Sequence, residues 1–79
     1  MVRLDADLRR EVGKRLRKAR TDKKLTQREV SSKVSKSIGA EFSPCTLSNY
    51  EKGRREPSMS ILVLLARIYE TTTDKLLGR

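Results

Sequence analysis

Two helix starts, at Thr26 and at Ser43, constrain this chain more than any other feature in it. Thr26-Gln27-Arg28-Glu29 reads as a capping box. The Thr26 hydroxyl can accept from the Glu29 backbone N–H while the Glu29 carboxylate reaches back to the Thr26 N–H. Leu25 before the box and Val30 inside it stand where a hydrophobic staple closes. Ser43 is a favoured N-cap, and Pro44 suits the first helical position, where its missing N–H would have had no partner anyway. Two short helices fixed this close together need other elements to cover their apolar faces. No run alternates apolar and polar residues between hairpin turns, so those elements are not strands.

The rest of the chain repeats the helical spacing. Leu8, Val12, Leu16 and Ala19 form one stripe on a helix that begins near Asp5 and ends around residues 22–24. Its other faces carry Arg9, Arg10, Lys14, Arg15, Arg17 and Lys18. Val30, Val34 and Ile38 continue the second helix, and Gly39 supplies a left-handed stop. In the third helix, over 43–52, Leu47 and Tyr50 face inward, Cys45, Ser48, Asn49 and Lys52 face outward, and Gly53 ends it. Ser58 caps a fourth helix over 59–70, which has two apolar stripes. Met59, Leu62, Leu65, Ala66 and Tyr69 make the first, and Ile61, Leu64 and Ile68 the second. A single core needs only one. A short fifth helix, Thr73–Leu77, follows Thr72 and stops at Gly78. The expected fold is all-α, a five-helix bundle forming one domain over 1–79, with no repeat, linker or low-complexity tract.

Composition narrows the function. A chain of 79 residues supports one thin core. A formal net charge of +9 asks for a polyanionic partner, either nucleic acid or an anionic membrane. The longest apolar run, 61–66, falls far short of the roughly 20 residues of a spanning helix, and the first residues are too charged for a secretory signal. With Cys45 as its single cysteine the chain makes no internal disulfide, which suits a reducing, cytoplasmic setting. Histidine is absent, so a Cys/His zinc site and a His-based triad are excluded. Neither metal, cofactor, small-molecule ligand nor enzymatic activity is expected.

Leu16, Ala19-Arg20, Leu25-Thr26-Gln27, Val30, Leu47, Tyr50-Glu51-Lys52-Gly53, Pro57-Ser58, Leu62, Leu65-Ala66, Asp74 and Leu76-Leu77-Gly78 stand in an order that resembles the Cro and phage-repressor type of helix-turn-helix domain, the XRE family. The resemblance covers about residues 12–78, with the helix-turn-helix unit at about 26–52. Between Val34 and Phe42 the chain is longer than the common family pattern. The span from Thr26 to Glu51, with Phe42-Ser43 before the third helix, is similar to the POU-specific domain, and Lys36 to Phe42 reads as one added helical turn plus a loop.

The resemblance implies double-stranded DNA as partner, with helix 43–52 in the major groove. The family reads bases from the first two positions of that helix and from the position five beyond the first, here Pro44, Cys45 and Asn49. Asn49 can bind adenine with two hydrogen bonds, Pro44 can touch a thymine methyl, and Ser48 can meet a base or a phosphate. Cys45 reads more readily as a small neutral side chain than as a direct base contact. Its place at a helix start amid positive charge also suits a thiolate, whose oxidation would block binding. Expected phosphate contacts are Gln27 and Arg28 at the start of the second helix, the hydroxyls of Ser43 and Thr46, and Lys52, Arg54 and Arg55 beyond the reading helix. The family also implies that Arg20 and Glu51 pair in the interior and hold the first helix to the third.

The leading expectation is a transcriptional regulator, a repressor, reading two half-sites as a homodimer. The spare stripe Ile61, Leu64 and Ile68 offers a dimer surface, or else packs on the first helix and an N-terminal arm containing Leu4 and Leu8. The competing expectation is a protein-interaction module, such as an antitoxin or anti-repressor partner, that uses the apolar helix 59–70. An anionic-membrane peptide is a distant third.

Overall fold

The computed structural model describes residues 5–79, and in this range the chain forms five α-helices and no strand. They are α1 (Ala6–Asp22), α2 (Gln27–Ile38), α3 (Pro44–Glu51), α4 (Met59–Ile68) and α5 (Thr73–Leu77). Every one opens the same way. The side chains of Asp5, Thr26, Ser43, Ser58 and Thr72 each accept a hydrogen bond from the backbone N–H three residues on. At Thr26 both halves of the capping box are made, Glu29 N–H to Thr26 Oγ1 at 3.0 Å and Thr26 N–H to Glu29 Oε1 at 3.0 Å. These short-range bonds satisfy amides that have no partner within the helix.

The core gathers Val12 and Leu16 from α1, Val30 and Val34 from α2, Leu47 and Tyr50 from α3, Leu62, Leu65 and Ala66 from α4, Tyr69, and Leu76 from α5. α1 packs against α3 and α5, and α2 packs against α3 and α4. The α1–α3 crossing is close because of Gly13. A Cβ there would stand 2.5 Å from the Glu51 carbonyl oxygen and 2.6 Å from that of Tyr50.

The structure departs from expectation in three respects. Leu8, Ile38 and Met59 are exposed, at 51%, 41% and 53%. Each lies in the first or last turn of its helix, where the apolar stripe runs past the edge of its neighbours. The fourth helix ends at Ile68, short of residue 70. Tyr69 is its C-cap, and Glu70 takes a left-handed conformation with φ of 54°. The second stripe of α4 is also less spare than its sequence suggests, since Ile61, Leu64 and Ile68 are half-buried against the core. Leu4, expected in an N-terminal arm, lies outside the described residues.

Candidate nucleic-acid interface

The interface begins with an ion pair that fixes α3 relative to α1 and α2. Arg20 Nε donates to Glu51 Oε2 at 2.7 Å and Arg20 Nη2 to Glu51 Oε1 at 3.0 Å, a two-pronged contact. Arg20 Nη1 donates to the Leu25 carbonyl at 2.9 Å, which ties the α1–α2 turn into the same cluster. Gln27 Nε2 donates to Glu51 Oε1 at 3.1 Å. The Glu51 side chain is only 4% exposed. Its hydrogen bonds raise the already high pKa of the Arg20 guanidinium, so that charge is fixed. The first helix, the turn and the first residue of α2 are thus all held to the last turn of α3.

A second set of bonds fixes the start of α3. Gly39 stops α2 with φ of 66°, and residues 39–43 lead to Pro44. Ser35 Oγ accepts from the Phe42 N–H at 2.9 Å and donates to the Phe42 carbonyl at 3.2 Å. The Phe42 ring packs tilted on Tyr50, with centroids 6.1 Å apart. The Ser43 and Thr46 hydroxyls bond each other at 3.1 Å.

On this frame Pro44 and Cys45 are exposed, and Ser48 and Asn49 half-exposed, along the outer side of α3. An open groove of about 920 Å³ runs between this side and the start of α2. Of the expected contact residues it gathers Pro44, Ser48 and Lys52 from the third helix and its cap with Gln27 and Arg28 from α2. Cys45, Thr46 and Asn49 do not line it. Arg54 and Arg55 line a separate recess with Arg9 and Glu56, where Arg9 Nε donates to the Gly53 carbonyl at 3.3 Å.

Sequence reading missed several parts of this surface. Gln27, expected at a phosphate, also donates one side-chain N–H to Glu51, a bond across 24 residues that no local pattern marks. Ser35 pins the loop, although nothing in the sequence marks it apart from other serines. Arg17 and Lys24 line the groove as well. For Arg17 a signal existed, since it lies three residues before Arg20 and so on the same helical face.

Residues 16–76 match the helix-turn-helix family profile. The chain is 40% identical over 68 residues to the HTH-type transcriptional regulator ImmR of Bacillus subtilis (strain 168), covering 86% of this chain and 49% of that protein. It is 39% identical over 56 residues to Multiprotein-bridging factor 1 of Candida albicans (strain SC5314 / ATCC MYA-2876), covering 71% of this chain and 33% of that protein. The chain thus spans half or less of the length of these relatives. Among solved structures, the DNA-binding domain of BldD superposes with a TM-score of 0.73 at 22% identity, covering 92% of this chain and 97% of that one, a likeness of fold. With its five capped helices and the Arg20–Glu51 pair beneath α3, the chain belongs to the helix-turn-helix family, of the XRE type that its sequence resembles.

Proposed function

We propose that this chain is a sequence-specific DNA-binding transcriptional regulator, a repressor acting in the cytoplasm as a homodimer, with residues 1–79 forming one DNA-binding unit. The observation that carries this reading is the outer side of α3, where Ser48 and Asn49 are half-exposed beside an open groove lined by Arg17, Lys24, Arg28 and Lys52. α3 has 8 residues, so it is about 12 Å long, close to the width of the B-DNA major groove. Asn49 is the principal base reader, through a paired contact to adenine. Pro44, Cys45 and Ser48 supply apolar and small polar contacts. Arg28, Lys52, Arg54 and Arg55 contact phosphates, joined by Ser43, Thr46 and the backbone amide of Gln27. The connection between α2 and α3, of POU-specific length, sets how α3 enters the groove. Relatives named as transcriptional regulators support the reading. The same α4 surface in a protein-interaction module remains the alternative that the test must separate.

Selection of bound sites from random duplex DNA, paired with a salt titration, tests it. An enriched motif with two half-sites is expected, and binding that weakens steeply with salt, at a log–log slope near −0.9 for each phosphate contact. Asn49→Ala is expected to relax preference at one base position by about 1–3 kcal/mol while keeping the salt slope. Absence of duplex binding at low salt would overturn the reading in favour of the interaction module.

A further inference from the structure

The chain stops its helices with left-handed residues, and it does so in two ways. Gly39, Gly53 and Gly78 take positive φ at no steric cost, whereas Lys24 at φ 58° and Glu70 at φ 54° do so despite a side chain. The backbone bonding around the charged pair is the same. After α1, Leu25 N–H donates to the Arg20 carbonyl at 3.2 Å and Lys24 N–H to that of Thr21 at 2.9 Å. After α4, Thr71 N–H donates to the Ala66 carbonyl at 2.9 Å and Glu70 N–H to that of Arg67 at 3.2 Å. Both are Schellman stops, where glycine is the usual residue.

The side chains differ in what they meet. Glu70 is engaged by Lys23, whose Nζ stands 2.5 Å from its Oε2. Lys24 makes no ion pair among the described residues, and it lines the groove between α2 and α3 together with Arg17, Arg28 and Lys52. Those three also form no ion pair among the described residues. The one carboxylate in the groove, Glu51, is already committed to Arg20 and Gln27. Four positive charges therefore face a common open space with no internal counter-charge.

We infer that Lys24 and Arg17 extend the DNA-backbone contact of α2 and α3 onto α1 and its turn, and that the left-handed lysine is kept for this contact at a cost in stability. The inference rests on the DNA-binding reading proposed above. A glycine at this position would relieve the backbone and lose the charge, so stability and affinity should move in opposite directions.

The test compares wild type, Lys24→Gly and Glu70→Gly on a short random-sequence duplex over a range of salt, with thermal melting of each protein. Lys24→Gly is expected to melt higher, by about 4 °C, while binding three- to tenfold more weakly, with a salt slope shallower by about one. Glu70→Gly, which lies outside the groove, is expected to keep wild-type affinity and slope. Arg17→Ala is expected to weaken binding to a similar degree without the gain in melting temperature. Lys24→Gly and Arg17→Ala that bind with wild-type affinity and slope would overturn the inference alone. A wild-type protein that does not bind the duplex would overturn the DNA-binding reading and this inference with it.

Discussion

Glu51 carries a charge into a site where its side chain keeps 4% of its exposure, and Arg20 follows it at 13%. Bringing charges out of water is costly, and these two are retained because each finds its partner in a two-pronged contact with further hydrogen bonds around it. Removing one partner strands the other. Glu51→Ala is expected to cost about 3 kcal/mol in urea unfolding, a large share of what a domain of this size has. Replacing both, as in Arg20→Met with Glu51→Leu, is expected to cost much less. A single variant as stable as wild type would contradict the pairing. Tyr69 presents the opposite case. Its hydroxyl is buried beside this pair with no hydrogen-bond partner among the described residues. Burial, and secondarily the negative charge of Glu51, push its pKa well above the ordinary phenol range, with Arg20 offsetting part of the effect. Burial shifts Tyr50 the same way, with Arg55 opposing. A raised folded pKa means the neutral phenol is favoured by folding. That stability is complete below the unfolded pKa of about 10 and is lost as pH rises through the folded value. Tyr69→Phe is therefore expected to be as stable as wild type or up to about 1 kcal/mol more stable at neutral pH. Its advantage should grow above about pH 10. Urea unfolding at neutral and alkaline pH measures both, and a marked loss at neutral pH would show that the hydroxyl has a partner.

At the scale of elements, the starts of the helices and every stop but that of α4 were legible in sequence, since a cap and the amide it satisfies lie within three residues of each other, whereas α4 stops at a left-handed Glu70 that carries no glycine signal. The α1–α3 crossing was not. Gly13 reads locally as a weak point in a good helix, worth about 1 kcal/mol less than alanine. Its reason lies in α3, whose carbonyls at Tyr50 and Glu51 occupy the space a Cβ would need. Gly13→Ala is thus expected to destabilise by about 2 kcal/mol despite the gain in helix propensity. Thermal melting checks it, and a variant that melts higher than wild type would mean the crossing relaxes freely. The same distance problem explains the exposed ends Leu8, Ile38 and Met59. Periodicity says which face a residue is on, but the partner's length says whether anything covers it.

At the scale of the whole molecule, a body measuring 29 × 24 × 18 Å offers one short helix, α3, for the proposed reading of DNA. That is few base contacts for a specific regulator, and a second copy doubles them. The surface proposed for that copy, Ile61, Leu64 and Ile68, is already half-buried by the protomer's own core. The apolar area left over is modest, so association is expected to depend on DNA. Sedimentation at micromolar concentration should find mostly monomer alone and two copies on a selected two-half-site duplex. A protein that remains one copy per duplex would remove the dimer from the proposal.

The amino-acid sequence by itself determined where five helices begin, where all but α4 end, and most of the residues that turn toward a core, because capping, glycine stops and apolar periodicity are settled among near neighbours. It also placed Arg20 opposite Glu51, through family resemblance. Only the tertiary structure decided that Gln27 turns its amide to Glu51, that Ser35 holds Phe42, and that Lys24 and Arg17 join Arg28 and Lys52 around one groove. Those groups come from separate helices and turns, and their meeting depends on the angles at which the helices cross. The crossing angles are set by packing that includes the missing side chain of Gly13, and no local pattern of residues contains them.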